Sequence, residues 1–124
     1  MDSKKIVSFQ DLSAWQSSYK LTVEIYRDLK NARNNNLKNQ IERSSLSISS
    51  NIAEGFGRQS AKDKKHYYIM ARGSAYEVQN QLLPGRDINE INKTDFKKLY
   101  KLSVTTIKLL HGLIKSINKT NANS

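Results

Sequence analysis

Residues 49–60 read SSNIAEGFGRQS and separate two segments in which apolar residues recur with helical periodicity. Gly55 and Gly57 fall where the first segment ends, a place at which glycine takes the left-handed conformation at little cost. Ser60, with Asp63 three residues later, fits a capping box that opens the next helix. The stretch therefore predicts a turn between two helices and favours a fold in which helix packs on helix.

A phosphate site is the alternative interpretation of the same stretch. Free backbone amides at a helix start bind anions, and Arg58 and Lys62 would add positive charge there. However, the nucleotide-binding pattern GxxxxGK[ST] is absent, and no predicted strand precedes the loop. Turn chemistry alone accounts for both glycines.

Four segments of the chain have apolar residues at steps of three and four, the spacing of one helix face. They predict helices over 10–32, 36–56, 60–83 and 94–118, with Pro84 ending the third. Short polar connections favour one domain over 1–124, an all-α antiparallel up-down-up-down four-helix bundle with a disordered tail at 119–124. The predicted core rows are Leu12, Trp15, Tyr19, Thr22, Val23, Tyr26 and Leu29; Leu37, Ile41, Ser44, Ile48, Ile52 and Phe56; Tyr67, Ala71, Ser74, Val78 and Leu82; and Phe96, Tyr100, Ser103, Ile107, Leu110, Ile114 and Ile117.

The composition points to a basic protein of the cytoplasm. Lys and Arg total 21 against 11 acidic residues, a net charge of +10 among 124 residues. Such an excess suggests a polyanionic partner, nucleic acid before membrane, although charge also serves solubility. The chain has no cysteine, which fits a reducing compartment. No apolar run approaches the roughly 20 residues of a membrane span.

The fourth segment carries half of this net charge, because residues 89–124 hold seven lysines and two acidic residues. At about 100° per residue, five of the lysines fall on one side of the helix, away from its core row. We call them the lysine ridge and expect them to bind nucleic acid, or else to form a solvated face. The predicted nucleic-acid contacts are Lys97, Lys101, Lys108, Lys115 and Lys119 of the ridge, with Arg58, Lys62 and Lys65.

Other non-core residues predict contacts with another subunit or a partner protein. The fourth helix has more apolar residues than one core requires, and the second has a polar row of both charge signs beside small residues. On the third, a basic and aromatic pair suits either a protein interface or a nucleic acid strand, and we favour the interface. The predicted interface residues are Gln40, Arg43, Asn51, Glu54, Arg72, Tyr76, Leu102, Leu109 and Leu113.

The sequence offers no catalytic motif. His66 and His111 lie on different predicted helices, with no carboxylate at metal-ligand spacing. HExxH, GxSxG and paired-carboxylate patterns are missing, and Glu54 has no nucleophile or metal partner nearby. We therefore predict no catalytic residue, no metal, no cofactor and no enzymatic activity.

The motif positions of the chain resemble those of a known family. They are Gln40-x-x-Arg43, Ser47-Ile48-x-x-Asn51-Ile52-Ala53-Glu54-Gly55, Gly57-Arg58 and Ala71-Arg72-Gly73-Ser74, followed by Glu77 and Leu82. The pattern is similar to that of the four-helix-bundle proteins encoded in intervening sequences of bacterial 23S ribosomal RNA genes. These in turn resemble the accessory variability proteins of diversity-generating retroelements. The connection before the second helix and the segment after residue 87 depart from the family pattern.

The resemblance implies a homo-oligomeric ring, a pentamer, with a basic surface that binds nucleic acid and, in the retroelement relatives, a reverse transcriptase. Our first hypothesis is therefore sequence-tolerant binding of RNA or DNA. The alternative is a protein-interaction scaffold such as a reverse-transcriptase accessory protein. A membrane-surface or toxin-like role is the weaker third interpretation.

Overall fold

The structure, a computed structural model, describes residues 5–123 of the chain, with side chains described through residue 118. The described residues contain no strand, so the predicted all-α class is confirmed. A single 3-10 turn precedes four α-helices. The elements are the turn Phe9–Asp11, α1 (Ser13–Asp28), α2 (Asn35–Phe56), α3 (Ala61–Asp87) and α4 (Lys93–Asn123).

Each helix packs against two others, as at the corners of a square. Within the described residues, α1 and α3 each pack on α2 and α4, and neither diagonal pair is in contact. Side-chain contacts show the helix directions, since Arg72 of α3 meets His111 of α4 while Gln79 meets Ser103. Residue numbers thus rise along one helix as they fall along its neighbour. The predicted four-helix bundle is confirmed.

The core is a column of aliphatic side chains along the bundle axis. Ile41, Ile48 and Ile52 of α2 and Leu99 and Leu110 of α4 are inaccessible to solvent. Full burial of one such side chain contributes about 1.5–3 kcal/mol. Most of the predicted rows of α2, α3 and α4 are in this column, although several of their aromatic residues lie half-buried at its margin. Those half-buried aromatic residues are Phe56, Tyr67, Phe96 and Tyr100.

The predicted core row of the first helix is right at Thr22 and Leu29 but wrong at its tyrosines. Tyr19 and Tyr26 are 54% and 44% exposed, whereas the buried face of α1 carries smaller side chains. Two helices flank this face closely, and Thr22 Oγ1 donates to the backbone oxygen of Ser45 at 3.0 Å. Short side chains permit that approach and tyrosines would prevent it. The buried residues of α1 are Ala14, Ser18, Leu21, Thr22 and Ile25, with Leu29 just after it.

The turn between α2 and α3 is confirmed, but its glycines do not take the predicted left-handed conformation. No glycine of the described chain has a positive φ, and Gly55 lies within α2. A Cβ on Gly55 would stand 2.9 Å from both Tyr67 Cβ and Tyr68 Cε1, so the residue permits the closest contact of α2 with α3. Ser60 caps α3 as expected, with its side chain accepting from the Asp63 amide at 3.1 Å.

The prediction that Pro84 ends the third helix is also wrong. Pro84 lies inside α3, which continues to Asp87. A proline in the last turn removes only one backbone donor, and the carbonyl of Pro84 still accepts from the Ile88 amide at 2.9 Å. The helix ends at Asp87, and two residues later Asn89 takes a left-handed conformation with a φ of 61°. The chain then folds Ile91 onto Gly85, where an added Cβ would lie 2.6 Å from Ile91 Cδ1.

α1 ends at Asp28, before the predicted residue 32, and the first connection follows it. Glu90, in the α3–α4 connection, accepts from the backbone amides of Arg33 at 2.8 Å and Asn34 at 3.1 Å. These amides are therefore satisfied outside a helix. Asn34 in turn caps α2 by accepting from the Leu37 amide at 3.0 Å.

The last helix runs past its predicted end at residue 118 and into the segment predicted as a disordered tail. α4 reaches Asn123, and no glycine or proline interrupts its final turns. Ser124 lies outside the described residues. None of the helices, within the residues described, is long and apolar enough to cross a membrane.

Candidate functional site

The lysine ridge lies on the outer side of α4. Lys97, Lys101, Lys108 and Lys115 are all exposed, and none forms a hydrogen bond or ion pair within the described residues. From Lys97 to Lys115 the ridge extends about 27 Å at 1.5 Å per residue. The side chain of Lys119 lies outside the described part. The ridge presents positive charge that no side chain among the described residues neutralises.

Lys98, next to the ridge in sequence, behaves differently. It turns toward α1, where its Nζ lies 2.8 Å from Asp28 Oδ2 and 2.9 Å from Glu24 Oε2. The hydrogen bonds to Asp28 and then Glu24 raise the pKa of Lys98 to about 12, and the same contact lowers the pKa of Glu24. The two carboxylates of α1 are therefore committed to a structural ion pair and leave Lys101 without a partner.

The basic residues predicted near the α2–α3 turn divide into two groups. Arg58 Nη2 contacts Glu54 Oε2 at 2.8 Å and Tyr67 Oη at 2.7 Å, and its guanidinium lies 4.7 Å from the centre of the Tyr67 ring. Arg58 thus links α2 to α3 and stabilises the turn between them. Lys62 is exposed and Lys65 half-buried, and neither has an ion-pair partner among the described residues.

The polar row of α2 lies along its contact with α3. Asn51 Nδ2 donates to the Ser47 backbone oxygen at 2.9 Å, and Ser47 Oγ meets Ser74 Oγ at 2.9 Å. Gln40 and Arg43 are exposed farther along the same row, where Gln40 bonds only within its own helix. The structure therefore uses the middle of this row to join α2 to α3 and leaves its ends open to solvent.

Arg72 and Tyr76 of α3 meet His111 of α4, a residue that the sequence did not select. Arg72 Nη1 lies 3.0 Å from His111 Nδ1, and Tyr76 Oη lies 3.4 Å from His111 Nε2. The Tyr76 and His111 rings stand edge to face, with centroids 6.5 Å apart. Because arginine only donates, Nδ1 accepts, and a neutral imidazole then carries its hydrogen on Nε2. We call these three residues the arginine–tyrosine–histidine cluster.

The apolar surplus predicted on α4 is largely used inside the chain. Leu102, Leu109 and Leu113 are half-buried and pack against the core. Exposed large apolar residues lie instead on α1, α2 and α3 and in the segment before α1, and among them Leu46 of α2 is 50% exposed. Beside it on α1, Tyr19 stacks on Trp15 at 5.0 Å between ring centroids, and Trp15 meets Phe9 edge to face at 5.3 Å. We call Tyr19, Tyr26 and Leu46 the aromatic face.

Of the two features that the sequence analysis missed, only the aromatic face had a signal in the sequence. The exposed tyrosines lie seven residues apart, so they share a face that is distinct from the aliphatic face of Leu21 and Ile25. The position of His111 opposite Arg72 depends on helix pairing, which one sequence does not specify. No group of three or more His, Asp or Glu side chains suited to a metal occurs within the described residues.

Comparison with known proteins finds a matching family and similar solved structures. The pattern of the family described as 23S rRNA-intervening sequence protein matches residues 10–112. The chain is also similar to a protein of unknown function from the S23 ribosomal protein family of Bacteroides thetaiotaomicron VPI-5482, whose crystal structure was determined at 1.70 Å. Identity is 26% and the TM-score 0.76, covering 82% of this chain and 95% of that chain. No curated protein matches. The family match takes in the arginine–tyrosine–histidine cluster and the ridge as far as Lys108.

Proposed function

The chain belongs to the 23S rRNA-intervening sequence protein family, and from this premise we propose that it is a non-enzymatic cytoplasmic protein that binds RNA or DNA. The observation that carries the proposal is the lysine ridge. Its four described side chains are exposed and unpaired, whereas Lys98 beside them has two carboxylate partners. A row of unpaired ammonium groups suits the phosphates of a nucleic acid strand.

Binding through such a row is tolerant of sequence. Lysines that neutralise phosphates release condensed counterions, and this term does not depend on the bases. Four such contacts give a slope of about −3 in log K against log salt concentration for a single strand. Lys62 and Lys65 extend the proposed surface along α3. Arg58 contributes less, because Glu54 and Tyr67 already hold its guanidinium.

We also propose that the protein acts as a ring of identical copies, a pentamer as the resemblance implies. The aromatic face supports an interface, since tyrosines half open to water supply binding energy when a partner covers them. The open ends of the α2 row, Gln40 and Arg43, would contact a neighbouring copy beside it. Asn51 and Glu54 are committed within the chain, so we give them a supporting role there.

A protein-interaction scaffold, such as a reverse-transcriptase accessory protein, is the second candidate. The aromatic face favours it specifically, because exposed apolar side chains on a basic domain suit a protein partner better than a phosphate chain. Under this proposal the lysine ridge would serve solubility. Changes on the aromatic face would then abolish partner binding, while changes on the ridge would leave it intact.

The test is a titration of a labelled single-stranded RNA against wild type and two triple variants, at two or more salt concentrations. The ridge variant carries Lys101→Gln, Lys108→Gln and Lys115→Gln. The control changes Lys5, Arg27 and Lys30 to Gln, which are exposed and off α4, so both variants lose the same charge.

We expect the ridge variant to lose about two units of salt slope and at least about tenfold in affinity at low salt. The control should stay close to wild type. Equal loss in both variants would mean that only net charge matters. Salt-independent binding, or no binding at low salt, would contradict nucleic-acid binding altogether.

A further inference from the structure

The arginine–tyrosine–histidine cluster has unused hydrogen-bond donors and, among the described residues, no carboxylate at ion-pair distance. His111 Nδ1 takes one of the five guanidinium N–H donors of Arg72, which leaves the others open. Tyr76 Oη accepts from the Nε2 hydrogen of His111, so its own hydroxyl hydrogen is free to donate. No carboxylate pairs with any of the three within the described residues.

The cluster also adjoins the lysine ridge. Lys108 precedes His111 by three residues on α4 and Lys115 follows it by four, so they flank it on neighbouring turns. Both are exposed. Glu77, the nearest acidic residue in sequence, lies about 140° around α3 from Arg72 at 100° per residue. A phosphate that reaches the cluster therefore meets the donors of Arg72 and Tyr76 and the positive charge of the flanking Lys108 and Lys115.

Tyr76 adds a feature that a phosphate alone would not require. Its ring is 48% exposed, and its edge-to-face contact with His111 fixes one side while leaving surface open. Arg72 and Tyr76 are four residues apart, so they lie side by side about 6 Å apart along the axis of α3. The guanidinium of Arg72, which suits a phosphate, thus lies next to the ring of Tyr76, which suits the adjoining base.

We propose that the arginine–tyrosine–histidine cluster is a binding site for one unpaired nucleotide of a single strand. Arg72 holds the phosphate, Tyr76 stacks on the base, and His111 positions both by bonding to each of them. The inference rests on the proposed nucleic-acid function and makes it specific. The ridge binds any phosphate chain, whereas the cluster prefers a strand whose bases are free to leave the stack.

The structure favours this use over a protein interface for the same residues. A protein partner would have to supply acceptors for the open donors of Arg72 and Tyr76, whereas each nucleotide brings its own phosphate and its own ring. The cluster moreover continues the ridge rather than the aromatic face, which lies on α1 and α2.

The test compares a single-stranded RNA with the duplex of the same sequence. Tyr76→Leu removes the ring and should weaken single-strand binding by about 5- to 100-fold, from the usual value of one base–aromatic stack, with little change for the duplex. Tyr76→Phe keeps the ring and should bind nearly as wild type does. Arg72→Gln should weaken single-strand binding more than Arg72→Lys does.

The control is Met70→Ala, which removes a large exposed side chain from the same helix outside the cluster and should leave both affinities unchanged. The inference is overturned if Tyr76→Leu binds the single strand as wild type does, or if duplex binding falls equally. It is also overturned if light scattering shows that Tyr76→Leu disrupts self-association instead. Failure of the proposed function gives different results. In that case wild type binds neither the single strand nor the duplex, or the ridge variant binds both of them as wild type does.

Discussion

Replacement of Gly55 by Ala tests how closely α2 and α3 must approach. An alanine Cβ there would lie 2.9 Å from Tyr67 Cβ and 2.9 Å from a ring carbon of Tyr68. The first of these atoms is attached to the α3 backbone, and Tyr68 is only 2% exposed, so neither can swing aside. The two helices must therefore separate locally, which opens packing on both sides of the contact.

The size of the effect follows from two opposing terms. Alanine is favoured over glycine within a helix by about 1 kcal/mol. Overpacking of a filled core costs about 1–3 kcal/mol, and a contact with backbone-linked atoms belongs at the upper end. We expect Gly55→Ala to lower the free energy of unfolding by about 1–2 kcal/mol, and the melting temperature by about 3–8 °C for a domain of this size.

Gly73→Ala and Gly112→Ala are the matched controls. Nothing lies within 4 Å of a Cβ added at either position, so only the helix-propensity term acts. Each should raise the free energy of unfolding by about 0.5–1 kcal/mol. Urea denaturation followed by circular dichroism, at one protein concentration for all variants, measures the difference. The reasoning is refuted if Gly55→Ala proves as stable as either control.

Three further predictions concern the connections and the α1–α4 ion pair. Asn89→Ala should destabilise by about 1 kcal/mol in urea, and Asn89→Gly should not, because residue 89 is left-handed. Glu90→Gln should cost about 1 kcal/mol and speed hydrogen exchange at the two loop amides that the carboxylate caps. Lys98→Met should destabilise by about 1–2 kcal/mol at neutral pH, because Asp28 loses its partner. The wild-type advantage over Lys98→Met should fall below about pH 4.5 as Glu24, whose pKa is lowered, takes up its proton. It should also fall above about pH 10.5, the ordinary lysine value, and vanish beyond the pKa of about 12 of Lys98.

The sequence predicts the bundle well because its aliphatic rows are strong and its connections short. It fails on α1 because that helix has two stripes of helical period, one aromatic and one of small and aliphatic residues. Periodicity alone does not choose between Tyr19 and Leu21. The choice depends on how closely α2 and α4 approach, and the buried Ser18 and Ala14 show that the approach is tight.

Part of the candidate site was likewise predictable from the sequence, and part depended on the packing of the helices. The exposure of the lysine ridge follows from its position opposite the core row, so it was predictable from α4 alone. The partners of Arg72 and Lys98 lie on other helices, and their identity depends on helix register in three dimensions. Pro84 and Gly55 were misjudged for a related reason, since both residue types break helices in isolation and are tolerated when neighbouring elements hold the backbone.

The placement of acidic residues explains why the charge of α4 remains available. Glu54 pairs with Arg58 in the turn after α2, and Asp87 pairs with its neighbour Arg86. The carboxylate of Glu90 caps backbone amides. Glu24 and Asp28 both turn to Lys98. These acids thus stabilise turns and one helix contact, and no acid in the described part of the chain pairs with the ridge. Like charges in a row repel by a few tenths of a kcal/mol per neighbouring pair, so the fold retains the ridge at a cost that a bound polyanion would remove.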